Sequence, residues 1–143
     1  MQKPKMVVLY AVQILTVMEY YRKKHVDVPS ALPSILTLKR IQVHSNIKSL
    51  HLMEQVACTL RKKGIIRSYK GPNGGYALVK DPCTVTINDI DPMPEDKSKN
   101  APSTHVINEL SQKFNECAIA FYSMKLGDIP KFGTKESFSS ILV

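Results

Sequence analysis

The stretch that decides the fold runs Leu60-Arg61-Lys62-Lys63-Gly64-Ile65-Ile66-Arg67-Ser68-Tyr69-Lys70-Gly71-Pro72-Asn73-Gly74-Gly75-Tyr76-Ala77-Leu78. Gly64 stops a helix whose last turn carries Arg61, Lys62 and Lys63, cations that complement the negative end of the helix dipole. Residues 65–69 then read as a strand, Gly71-Pro72-Asn73-Gly74-Gly75 as a tight turn, and residues 76–79 as the returning strand of a hairpin. Upstream of Gly64 the helix extends back to residue 47. Its apolar residues Ile47, Leu50, Met53, Val56, Ala57 and Leu60 are spaced by three or by adjacent steps, so they form a single face.

Working toward the N-terminus, His44-Ser45-Asn46 is a polar turn, and Ser34 is placed to cap a short helix over residues 35–41. Val28-Pro29-Ser30 and Pro33-Ser34 break the chain before it. Residues 5–24 form the first helix, with Val7, Val8, Ala11, Val12, Ile14, Leu15 and Met18 in a stripe broad enough that much of it must be covered. Toward the C-terminus, Asn88-Asp89-Ile90 reads as a further short helical turn. Residues 91–103, with three prolines, read as a loop. A long helix follows over 104–125, with Val106, Ile107, Leu110, Phe114, Cys117, Ala118, Phe121 and Tyr122 on its apolar side. Leu126-Gly127-Asp128 ends it, and the remaining tail is expected to be mobile. The organisation is therefore a domain over residues 1–90, a loop over 91–103, a helix over 104–127 and a flexible tail over 128–143.

A short helix, a turn, a longer helix and a hairpin make a winged helix-turn-helix. The fold class is mainly α with a small β-hairpin (α+β). In that arrangement the second helix of the pair enters the major groove of DNA. The face opposite its apolar stripe carries Lys48, Ser49, His51, Glu54, Gln55 and Thr59. Gln can read adenine, Glu can accept from cytosine, and Lys or Ser suits phosphate. On the hairpin, Arg67, Lys70, Asn73 and Gly74 are the candidates for backbone or minor-groove contact. The face and the wing could equally be an ordinary solvated helix and an ordinary turn. Bulk charge favours a polyanionic partner: 20 Lys and Arg against 12 Asp and Glu leave +8.

Other classes find little support. The hairpin glycines lack the following Lys-Ser/Thr and helix of a nucleotide-binding loop. No nucleophile–base pair, catalytic residue, metal-ligand spacing or cofactor loop stands out, so an enzyme is not expected. No segment reaches the roughly 20 apolar residues of a membrane span, and the run from Met6 to Met18 lacks a cleavage site and does not read as a signal peptide. Three widely separated cysteines, Cys58, Cys83 and Cys117, are poor material for disulfides and suggest a reducing, cytoplasmic setting. Arg61 and Lys62 would activate an exposed Cys58 thiol for sensing, but Cys58 reads rather as a small buried hydrophobe.

Glu54-Gln55, the run from Leu60 to Ile66, Ser68 and the run from Gly71 to Leu78 resemble the signature of the Rrf-two family of bacterial transcription regulators, and Tyr10-Ala11-Val12 and Leu126-Gly127-Asp128 also fit. The resemblance implies a homodimer whose body is made by the first and last helices and a palindromic operator on double-stranded DNA; the expected function is a sequence-specific regulator acting as a repressor. It implies that Glu54 and Gln55 read bases, with Ser49 and His51 near further contacts. Two departures stand out: the stretch from Val43 to Glu54 is longer than usual, and Leu52 stands where an aromatic is common. The sensors of the family hold an iron–sulfur cluster on three close cysteines in the loop before the last helix. Here residues 91–103 contain none, and His105, near a histidine ligand of one branch, has no cysteines beside it. The expectation is a regulator without cofactor or metal that answers to a protein or small-molecule effector. A winged-helix protein-interaction module and a cofactor-bound redox or nitric-oxide sensor of the same family are the alternatives. Asp91, Glu95 and Asp96 read as solvated loop charges.

Overall fold

The computed structural model describes residues 5–24, 35–94 and 104–136. The break at residues 28–34, the Ser34 cap and most of the 91–103 loop lie outside the described residues. The apolar run of the first helix, α1 (Met6–Lys24), is buried within its own chain: Val8, Ala11, Ile14, Leu15, Val17, Met18 and Tyr21 are all in the core. Fully burying an aliphatic side chain of this size contributes about 1.5–3 kcal/mol. Most of the stripe read from the sequence is thus covered by the chain itself, while Val7 and Val12 are only partly buried. Met6 and Leu9 stay outward, 57% and 37% exposed.

The second helix, α2, spans Leu38–Ser45, later than the 35–41 expected from the sequence. Residues just before it are extended instead, because Leu36 exchanges two 2.8 Å backbone hydrogen bonds with Tyr76. The Thr37 hydroxyl caps α2 by accepting from the Arg40 amide at 3.2 Å, and Asn46 ends it in the left-handed region (φ 56°). α3 spans Leu50–Lys62, with Ser49 as its N-cap. Ile47 lies in the turn before α3 yet is only 3% exposed, so its apolar spacing reflects burial and not helix. Gly64 takes φ 75°, and the Ile65 amide returns to the Leu60 carbonyl at 3.0 Å, which closes the helix end.

β1 (Ile66–Tyr69) and β2 (Gly75–Leu78) pair antiparallel, Ile66 opposite Leu78 and Tyr69 opposite Gly75. After a 3₁₀ turn over Pro82–Thr84 comes α4 (Ile87–Ile90), held by a reciprocal capping box between Thr86 and Asp89. α5 spans His105–Tyr122 and buries none of its residues. The chain then turns back, pairing Thr86 with Lys125, and puts Leu126 and Phe132 into the core at 0% and 7% exposure. A loose tail from residue 128 is therefore not what the described residues show: an aromatic side chain anchors the segment through 132.

Candidate nucleic-acid interface

At 3.6 residues per turn, the buried Met53, Val56, Ala57 and Leu60 define the inner face of α3. His51, Gln55, Cys58 and Lys62 form the line opposite. Glu54 and Arg61 lie to one side of that line, and Leu52 and Thr59 to the other. Two hydrogen bonds tie down the helix entrance. The Ser49 hydroxyl accepts from the Leu52 amide at 3.2 Å, and the Gln42 side-chain amide donates to the Lys48 carbonyl at 3.2 Å. Ser49 is thus occupied as a cap, while Lys48, His51, Glu54 and Gln55 are accessible to solvent. The His51 ring and the Gln55 amide meet at 3.2 Å, so they present themselves as one unit.

Thr59 is half-buried, and its hydroxyl donates to the Gln55 carbonyl at 3.2 Å. With Leu52, Gln55 and Val56 it lines a groove of about 370 Å³ against Met6, Val7 and Tyr10 of α1. It therefore looks toward α1 and away from the centre of the outer line. Cys58 is not the buried hydrophobe expected from the sequence. It is half-buried on the outer line, with the Arg61 guanidinium 3.8 Å from its Sγ. Its spacing of three from Gln55 and four from Glu54 is the signal that places it there. Lys62 sits on the same line, a position its role at the helix dipole does not reveal.

The wing projects from the C-terminal end of α3. Arg67 is exposed on β1, and Lys70 and Asn73 are exposed at the tip. The Gly74 amide closes the turn onto the Gly71 carbonyl at 2.9 Å, and a Cβ on Gly74 would run into the Tyr69 carbonyl. Gly75 takes φ 155° with its Cα packed on residue 36, so that a Cβ there would lie 2.5 Å from the Leu36 carbonyl oxygen. The wing is thereby tied to the strand segment that leads into α2. Wing, α2 and α3 form one connected surface.

The net charge is concentrated on these elements. Nine of the 20 Lys and Arg, but only one of the 12 Asp and Glu, fall between residues 38 and 80, so this stretch carries the whole +8. Outside it, eleven cations balance eleven acids. The single acid inside it is Glu54, itself a candidate base reader.

Away from this surface, Glu19, Asp81 and Cys83 place one ligand atom each within 4.8 Å of one another, the one group of three metal-capable side chains among the described residues. Arg22 already supplies positive charge there, bound to both Glu19 oxygens at 2.5 and 3.1 Å and 3.8 Å from Asp81. That pairing raises the Arg22 pKa. Burial first, and then Glu19 and Asp81, push the Cys83 thiol up, which opposes the thiolate a metal needs. Asp91 is not a solvated loop charge: it is largely covered and lies 3.6 Å from the Lys5 ammonium. His105 is an exposed residue opening α5, and Glu95 and Asp96 lie outside the described residues.

Residues 8–122 match the Rrf2 family, described as "Iron-dependent Transcriptional regulator". The chain is 37% identical over 76 residues to the HTH-type transcriptional regulator CymR of Bacillus subtilis, a match that covers 53% of this chain and 50% of CymR. It is 30% identical over 132 residues to the putative HTH-type regulator slr0846 of Synechocystis, covering 78% of this chain and 87% of that one. Among solved structures, CymR of B. subtilis superposes with a TM-score of 0.67 at 22% identity, covering 90% of this chain and 96% of that one. IscR of T. potens superposes with a TM-score of 0.64 at 22% identity, covering 91% and 87%. Both share the winged-helix fold seen here. A helix ending at Gly64, a glycine-built wing, a stretch that holds all the net charge and a family match over most of the length lead to one conclusion: the chain belongs to the Rrf2 family of helix-turn-helix transcriptional regulators.

Proposed function

We propose that the protein is a homodimeric, cytoplasmic repressor that reads a palindromic operator through α3 and works without an iron–sulfur cluster. The observation that carries this reading is the concentration of the entire +8 in residues 38–80, the stretch that forms α2, α3 and the wing. Such a surface attracts the phosphate backbone, while His51, Glu54 and Gln55 stand exposed to reach base edges. Arg67, Lys70 and Asn73, exposed on the wing, are there to grip the backbone, and Gly74 lets that turn form. Dimerisation is supported by α5, whose Val106, Leu110 and Phe114 are 73%, 67% and 72% exposed along one stripe. A two-fold dimer reads a two-fold site. No helix among the described residues is long and apolar enough to cross a membrane.

The family description raises iron, so the donor set matters. All three cysteines are among the described residues, and the one cluster of metal-capable groups among those residues contains a single thiol, its pKa raised by burial and its neighbourhood already holding Arg22. Iron–sulfur clusters need several thiolates together, so these residues do not fit one. The regulatory input is then a protein or small-molecule effector.

Binding-site selection from random duplexes tests the function. A palindromic consensus, abolished by Glu54→Ala and Gln55→Ala, is expected. Absence of sequence preference at moderate salt overturns the reading, and a protein partner captured independently of DNA with a face indifferent to those substitutions favours an interaction module. Anaerobic purification with an iron assay and visible spectrum tests the cluster. Stoichiometric iron with a thiolate-to-iron band would show a cofactor-bound sensor instead.

A further inference from the structure

We propose that the DNA footprint extends to two backbone anchors, Lys39 on α2 and Lys62 in the last turn of α3, each holding one phosphate. The assignment rests on the DNA-binding reading above. It starts from which cations have acidic partners. Lys5, Arg22, Lys113 and Lys131 are ion-paired to Asp91, Glu19 with Asp81, Glu116 and Glu136 respectively. All four lie on or just before α1, on α5 or on the C-terminal segment. Among the described residues, no ion pair involves a Lys or Arg between residues 38 and 80. Two cations of that stretch are engaged otherwise: Arg40 lies over the Tyr21 ring at 5.1 Å, and Arg61 contacts Cys58.

Lys39 is exposed and lies about 100° around α2 from Arg40, away from the Tyr21 ring that Arg40 covers. It lies about one-sixth of a turn from Gln42, whose amide holds the Lys48 carbonyl at the mouth of α3. In helix-turn-helix pairs the first helix crosses the DNA backbone, and the side of α2 that adjoins the α3 entrance is the side that meets it. Lys62 continues the line of His51, Gln55 and Cys58, in steps of four, three and four. From Ser49 to Lys62 the helix rises about 20 Å, whereas the major groove is about 12 Å wide. A helix that enters by its N-terminal half therefore carries its last turn out to the phosphates. A compact ammonium on a long stem suits a single phosphate oxygen there. Lys39 and Lys62 thus flank the base-reading residues from two elements, and Gln42 and the Ser49 cap fix the spacing between those elements.

The test uses the full chain with Lys39→Ala, Lys62→Ala and, as control, Lys113→Ala. Affinity is measured by fluorescence anisotropy across a salt titration, on the selected operator and on a random duplex of equal length. The slope of log K against log salt is expected to fall by about 0.9 for each phosphate no longer neutralised, hence about 1.8 per dimer for each substitution. The weakening should be the same on both DNAs, with base preference and melting temperature unchanged, and Lys113→Ala should leave the slope alone. Unchanged slopes, an effect at one lysine only, or a shifted base preference would overturn the two-anchor assignment. Salt-insensitive binding by the unsubstituted chain would overturn the DNA-binding reading itself.

Discussion

Glu19 shows how a single residue can hold this fold together. It is fully buried near the C-terminal end of α1, and Arg22, three residues on, keeps its carboxylate compensated. Removing one partner of a buried pair typically costs about 3–5 kcal/mol. Because the Arg22 side chain is 43% exposed, Arg22→Ala should cost about 3 kcal/mol, at the low end. Chemical denaturation at neutral pH measures it, and a destabilisation under about 1 kcal/mol would show that water reaches Glu19. His44 sets a pH dependence. Its Nε2 meets the Tyr21 hydroxyl at 2.8 Å, and burial first, then Arg40 and Lys135, hold its pKa below 6.5. The fold therefore prefers neutral His44. Its contribution is complete above about pH 6.5, the unfolded value, and is lost as pH falls through the lowered folded value. Thermal melts should drop more steeply below that pH in the native chain than in His44→Gln. Parallel curves would remove His44 from the account.

At the scale of elements, the wing and the entry to α2 behave as one unit. The two Leu36–Tyr76 hydrogen bonds add a single antiparallel bridge to the edge of the hairpin, and the missing Cβ of Gly75 lets the backbones approach. Gly75→Ala meets both a 2.5 Å clash and a strained φ of 155°, so it should cost about 1–3 kcal/mol. The same substitution should weaken operator binding, because it tilts the wing and frees the start of α2 together. Amide exchange at residues 36 and 76 would report the coupling. Protection unchanged at residue 36 would show that the wing moves independently.

At the scale of the molecule, the described residues form one core and leave an apolar stripe of α5 uncovered. α1 through α4, the wing and the segment around Leu126 and Phe132 bury the core in a single chain. α5 leaves Val106, Leu110 and Phe114 in solvent. Phe114→Asp should therefore leave the melting temperature of the winged-helix body nearly unchanged while producing a monomer by sedimentation equilibrium. Operator affinity should fall by orders of magnitude, since a monomer engages only one half of a two-fold site. A dimer that persists in this variant would place the interface elsewhere.

Helix identity, the stop at Gly64, the wing and its glycines, and the Rrf2 relationship could all be read from residue order. They depend on local spacing, turn chemistry and caps, which act within a few residues. The outward positions of His51, Glu54 and Gln55 follow from periodicity for the same reason. Four features depend on neighbours distant in the chain. Pairing of Leu36 with Tyr76, 40 residues apart, moves the start of α2 to Leu38. Packing of α2, α3 and α4 on α1 covers most of the apolar stripe of α1. Phe132 brings the expected tail back to the core. Thr59 is turned toward α1, and Cys58 is left on the outer line of α3. Sequence by itself determined which faces each helix has and where the net charge lies along the chain. Tertiary structure alone decided what covers each face, because burial is a property of the neighbours a residue meets and not of its own spacing.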